Sequence, residues 1–348
     1  MAQFTHILDA IDVHTAGEPA RIVVSGVPPL VGTSMTEKRH YMQAQLDHLR
    51  TLVVLEPRGH VDMFGVVVTP PTRADADFGI LFLDSAGYLD MCGHSVIGTT
   101  TALIETGTVT PREPETVVTY DTPAGLVTAR ARVASGRALE VSIANVATFV
   151  HTRDLLVDVP GYGSIAVDIA FGGNFFALVR AADLGVEVER TQVNRLVERG
   201  VAVRRAVNEV LVLRHPTLPH VHEVRLTAIH ERPDPALPFA RTAVVFGDGQ
   251  LDRSPCGTGS SALMAALHAR GKLPLGVELV SESVIGTRFR GRLERELPLG
   301  DFTAVAPIVT GSAHLIGLQR LVVDPADPLK YGFILAPTSP GSRNEDDI

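Results

Sequence analysis

The sequence predicts an α+β chain of two similar halves, each a sheet with one slim helix packed inside it. Three observations predict it. The only two cysteines in 348 residues sit in matching settings. Each is followed fifteen residues later by a glycine, Gly107 or Gly271, where a C-terminal helix cap belongs. Upstream, Ile11-Asp12-Val13-His14-Thr15-Ala16-Gly17-Glu18 resembles Val167-Asp168-Ile169-Ala170-Phe171-Gly172-Gly173-Asn174 at a constant offset of 156.

The elements follow in order. Apolar stretches Ile22-Val23-Val24 and Ala177-Leu178-Val179 trail the two upstream segments. The runs ending at Phe82 and Phe246 read as short buried strands, and each Phe lies ten residues before its Cys. Loop residues rich in Gly and Asp connect strand to Cys. After Cys92, Val96, Ile97, Thr100, Leu103 and Ile104 share one helical face; after Cys256, Ser260, Leu263, Met264 and Leu267 do. Small residues crowd both segments, so either helix fits inside a closed sheet. Beyond them, Pro123–Val127 and Ile285–Phe289 lead into alternating strand patterns. The predicted division is 1–145, completed by residues near 315–335, and 146–314, with 337–348 a disordered tail.

Composition bounds the function. Hydrophobic residues make up 45% and charged residues 20%, an ordinary globular balance. A net charge of −8 attracts neither nucleic acid nor anionic lipid, and without Trp and with five Tyr there is little to stack bases on. No run approaches the roughly 18 apolar residues of a membrane helix. The start lacks the pattern of a secretory signal, so the expected location is cytoplasmic, with both thiols reduced.

Two matched cysteines at helix starts point to proton transfer. A thiol there faces unpaired N–H groups and the positive end of the helix dipole, so a lowered pKa is expected. Gly93 and Gly257 let a ligand approach the backbone, and the same N–H groups suit a carboxylate. If the halves face each other, one sulfur stands on each side of a substrate Cα, one to remove a proton and one to deliver it. Asp252, four residues before Cys256, is placed to hold an ammonium; its competing role is a turn before Ser-Pro. His94, two after Cys92, is placed to orient the amine or tune a thiol; its competing role is a helix cap.

At these residues the sequence resembles the proline racemase superfamily of proline racemases, 4-hydroxyproline 2-epimerases and trans-3-hydroxy-L-proline dehydratases. The matching segments are Met91-Cys92-Gly93-His94, Asp252-Arg253-Ser254-Pro255-Cys256-Gly257-Thr258-Gly259, Glu56-Pro57-Arg58-Gly59-His60 with Asp62-Met63-Phe64-Gly65, and Asp327-Pro328-Leu329-Lys330-Tyr331-Gly332-Phe333. The resemblance spans about residues 8–335. It implies a fold like that of diaminopimelate epimerase, two pseudo-symmetric halves with each sheet wrapped around a central helix. It implies catalysis without cofactor or metal, with Cys92 and Cys256 as the acid/base pair. It further implies Gly93, His94, Gly257 and Thr258 on the carboxylate side and Asp252 with His94 on the amine side. The dehydratases usually carry Thr for the second Cys, so a chain with both thiols is expected to racemise or epimerise. Phe64, Phe82 and Phe246 match the aromatic wall of the proline racemase branch, which ranks proline above 4-hydroxyproline; Ser95 departs from that branch. The expected partner is a small-molecule substrate, with a homodimer as the admissible assembly.

Other classes explain less. A zinc site on Cys92, His94 and Cys256 is short of ligands, and a helix N-terminus repels cations. A redox switch through a Cys92–Cys256 disulfide, or a binding module without chemistry, leaves the matched settings unexplained. Gly257-Thr258-Gly259 has no nucleotide-loop spacing. His14, His60 and Arg58 read as structural, and no spacing argument assigns His215, His220 or His222.

Overall fold

The computed structural model describes residues 4–232, 234, 236–247 and 249–335; the expected disordered tail lies outside the described residues. The first part runs β1 (His6–Thr15), β2 (Glu18–Ser25), α1 (Met35–Gln45), α2 (Asp47–Val54), β3 (Phe64–Thr69), β4 (Phe78–Leu83), β5 (Tyr88–Leu89), α3 (Gly93–Glu105), β6 (Glu115–Thr122), β7 (Gly125–Ala134) and β8 (Arg137–Ala144). The second runs β9 (Thr148–Val159), β10 (Gly163–Phe171), β11 (Phe175–Arg180), α4 (Val193–Val210), β12 (Val224–Glu231), β13 (Phe239–Phe246), β14 (Gln250–Leu251), α5 (Gly257–Ala269), β15 (Leu279–Ser283), β16 (Arg288–Leu299), β17 (Phe302–Gly311) and β18 (Ala313–Val323).

This is a strand-rich barrel architecture with few helices. Strand residues alternate: β7 from Val127 onward and β16 as far as Leu293 bury every second residue and leave the next at least partly exposed. All eighteen named strands join one hydrogen-bonded network. β18 returns to pair along the whole of β1, from His6 opposite Val323 to Thr15 opposite Ala313. β17 bridges the two parts, pairing with β16, β8 and β9.

The two buried helices set the site. α3 touches β1, β2, β3, β7, β8, β17 and β18, while α5 touches β9, β10, β11, β16 and β17. Each has thirteen residues and ends before its glycine, Gly107 at φ +77° and Gly271 at φ +68°. Small residues make such enclosure possible: a Cβ on Gly98 would come within 2.8 Å of Val13. Several buried hydroxyls bond along the helix itself, Thr100 to the Val96 carbonyl and Ser261 to the Gly257 carbonyl. The loops preceding the cysteines are less irregular than expected, since each contains a two-residue strand, β5 or β14, that turns the chain back toward the helix start.

Candidate active site

Cys92 and Cys256 are the residues that cap α3 and α5. The two helix starts meet head to head. A Cβ built on Gly93 would lie 3.0 Å from the Gly257 Cα, and one on Gly257 would lie 3.1 Å from the Gly93 Cα. Only glycine at both positions permits that approach. The sulfurs thereby reach one narrow cleft with about 10 Å³ of free space, lined by Phe64, Leu89, Met91, Cys92, Gly93 and His94 from the first part. Asn174, Leu226, Phe246, Asp252, Cys256 and Thr258 line it from the second.

Each thiol has its own neighbours. Cys92 Sγ lies 3.3 Å from His94 Nδ1. Cys256 Sγ lies 3.4 Å from Thr258 Oγ1 and accepts from the Gly259 N–H at 3.4 Å. The backbone of Cys256 is left-handed, φ +62°, where a non-glycine residue is strained; Cys92 is extended at φ −143°. Such strain persists only where the surroundings enforce it.

The electrostatics correct one expectation. The N–H groups at the helix starts draw the thiols down, but burial outweighs them. Burial pushes both well above the ordinary thiol range. The Ser95 hydroxyl and N–H oppose this at Cys92; at Cys256 the Asp252 charge adds to it, and Thr258 and the Gly259 N–H oppose it. Two N–H contacts cannot offset the removal of solvent around a whole sulfur anion. His94 is pushed down to about 3 by burial and is neutral. Its ring stands edge-on to Phe64, centroids 4.5 Å apart, and Phe64 meets Phe246 at 5.0 Å across the cleft. Asp252 is raised to about 6, chiefly by burial, while its Oδ1 accepts from the Ser254 N–H at 2.7 Å.

Ten residues were singled out from the sequence. Cys92, Gly93, His94, Asp252, Cys256, Thr258, Phe64 and Phe246 line one cleft, and Gly257 abuts it through Gly93. Phe82 does not line it. Its ring is fully buried on β4, paired with Val66 and Leu89, and it is the Leu89 side chain that lines the cleft. The aromatic wall is therefore two rings completed by Leu89, Met91 and Leu226. Sequence reasoning also missed Asn174, whose Oδ1 accepts from the Asp90 N–H and whose Nδ2 donates to the Met91 carbonyl. The repeat at offset 156 pairs Asn174 with Glu18, the one sequence signal that marks either. The histidines and arginine read as structural have local partners: His14 accepts from the Gly17 N–H, His60 from the Asp62 N–H, and Arg58 donates to the Val322 and Lys330 carbonyls. His220 lies 3.4 Å from Asp90, outside the cleft.

Known proteins carry the same frame. The family model described as proline racemase matches residues 10–334. The chain is 48% identical to a proline racemase from Clostridioides difficile, over 96% of this chain and 99% of that one. It is 44% identical to a 4-hydroxyproline 2-epimerase from Streptosporangium roseum, over 94% and 98%. Among solved structures it is similar to a hydroxyproline epimerase from Agrobacterium vitis with bound trans-4-OH-L-proline, at a TM-score of 0.91, 34% identity, and coverage of 96% and 97%. With both cysteine-capped helices inside a match of this extent, the chain belongs to the proline racemase family.

Proposed function

We propose that this isomerase inverts the Cα of proline by two-thiol proton transfer, without a cofactor and in the cytoplasm. One observation carries the reading: cysteines capping two helices that meet head to head line a single closed cleft. The substrate carboxylate sits against the N–H groups of the two helix starts, among Gly93, His94, Gly257 and Thr258. Its ammonium is held by Asp252, with His94 beside it. That ammonium offsets the negative charge that Asp252 imposes on the thiols, so one sulfur ionises inside the closed complex. The thiolate takes the Cα proton, the electron pair spreads into the carboxylate, and the opposite thiol gives its proton to the other face. The sulfurs exchange protonation state in each turnover, and no net proton is consumed. Each transfer by a positioned group is worth roughly 10²–10⁴-fold.

The two halves are 1–145 with 315–335, and 146–314, and the fold is of the diaminopimelate epimerase kind. Support for both comes from the closure of β18 on β1 and from the wrapping of α3 and α5.

The apolar wall of Phe64, Phe246, Leu89, Met91 and Leu226 favours an unsubstituted ring, because a C4 hydroxyl facing it loses a hydrogen bond worth about 1–3 kcal/mol. A second reading, 4-hydroxyproline 2-epimerisation, draws support from the relatives of that name. Incubation of proline and its 3- and 4-hydroxy isomers in deuterium oxide, followed by NMR, separates the two. Deuterium at Cα with inversion of proline, with no cofactor added, is the expected result. Turnover of hydroxyproline alone transfers the function to the second reading.

A further inference from the structure

The turns β1–β2 and β10–β11 use one device twice. Asn174, in the second turn, crosses to the first half and holds the backbone ahead of Cys92, accepting from Asp90 N–H at 3.3 Å and donating to the Met91 carbonyl at 2.7 Å. Glu18, the first residue of β2 after the first turn, crosses to the second half and holds the backbone ahead of Cys256, its Oε2 accepting from the Arg253 N–H at 2.5 Å. The turn is pressed hard onto that half, for a Cβ on Gly17 would come within 2.4 Å of the Ile285 side chain. Each half thus steers the other half's cysteine loop.

The two clasps differ in chemistry. An amide both accepts and donates; an ionised carboxylate only accepts. Glu18 is 0% exposed, and its Oε1 is buried without a hydrogen-bond partner among the described residues. The charged groups acting on it are Asp252, Asp62 and Arg253, and it acts in turn on Cys92. Arg253 is committed to Asp62 at 2.7 Å. Burial, and then the Asp252 charge, drive the Glu18 carboxyl well above the usual carboxylate range.

We infer that Glu18 is a neutral positioning residue that keeps a proton on the unpartnered Oε1 and clasps the Arg253 backbone by accepting at Oε2. Asp252 then carries the cleft's carboxylate charge alone. The Arg253 clasp fixes Asp252 and Cys256 together, and a second negative charge beside them is avoided. Only the consequence for turnover rests on the function proposed above.

Glu18→Gln and Glu18→Ala test this, with proline exchange in deuterium oxide measured from pH 6 to 10. A carboxyl-region infrared spectrum of the wild type minus Glu18→Gln is recorded alongside. Gln is expected to keep kcat within about threefold, while Ala loses about tenfold or more, the effect of one hydrogen bond removed. Any alkaline fall in rate that Glu18 causes disappears in the Gln variant. The difference spectrum is expected to show one protonated carboxyl. A Gln variant as impaired as Ala, an Ala variant as active as wild type, or a difference spectrum showing an ionised carboxylate overturns the inference. If the wild type exchanges no imino acid, the function reading fails, and the infrared spectrum still decides the proton.

Discussion

The Cys92 side and the Cys256 side share a frame and differ in almost every polar contact. Both sulfurs cap a thirteen-residue buried helix, and both are followed by glycine. Yet Cys92 has His94 and Ser95 beside it, whereas Cys256 has Thr258, the Gly259 N–H and the charge of Asp252. One loop is clasped by an amide and the other by a buried carboxyl. The proposed reaction asks for this division. Removing a proton from one face and adding one to the other is symmetric, which suits the duplicated frame. The amine and ring of the proposed substrate are not symmetric, and on that reading the differing side chains answer to them.

The symmetric part breaks first. Cys92→Ser and Cys256→Ser are each expected to lower racemisation in both directions by roughly 10²–10⁴-fold, because in the proposed mechanism every turnover uses both groups. Polarimetry from either enantiomer checks it. A Ser variant on either side that racemises at the wild-type rate ends the equivalence of the two halves as proton carriers.

The glycine contact comes next. Gly93→Ala and Gly257→Ala each insert a methyl about 3 Å from a facing Cα, with the Ile143 side chain close behind. Backbone cannot yield as a side-chain tip does, so each is expected to cost about 1–3 kcal/mol of stability and to spread the helix starts. Matched losses in thermal melts and in kcat support a head-to-head contact shared equally. A stable, fully active Gly257→Ala variant contradicts it.

How much of this was legible in the sequence follows from range. The cysteines, their helices and the glycine caps are local patterns within fifteen residues, and they were readable. Phe82 shares a sheet face with its partner Leu89 but is not among the residues that line the cleft; spacing to the Cys gives the face and not the depth. The thiol ionisation was misjudged because a helix start is a local feature while burial is a property of the closed molecule. Glu18 and Asn174 were visible as repeat partners, but nothing local says that each holds the opposite half.

The strain at Cys256 sharpens the comparison further. Glycine adopts φ +62° freely, so Cys256→Gly trades lost packing against relieved strain, whereas Cys92→Gly only loses. Both variants are expected to be inactive. In denaturant titration Cys256→Gly is expected to be the more stable by about 1 kcal/mol. The reverse order removes strain from the account of that site.

The smallest effect isolates Asp252. Its carboxyl is raised to about 6 in the folded protein, above the ordinary value near 3.8, chiefly by burial. Between those values the native state holds a proton that the unfolded chain has released, so stability falls as pH rises through that window. By pH 8 the buried charge is present and only partly compensated, by Ser254 and Arg253. Asp252→Asn keeps the shape and removes the titration. The melting temperature of wild type minus that of Asp252→Asn, without ligand, is therefore expected to drop from pH 5 to pH 8. The same substitution removes the charge that acts more on Cys256 than on Cys92, so alkylation should accelerate selectively at Cys256. A melting difference that rises with pH, or alkylation that accelerates equally at both sulfurs, would place the charge elsewhere in the cleft.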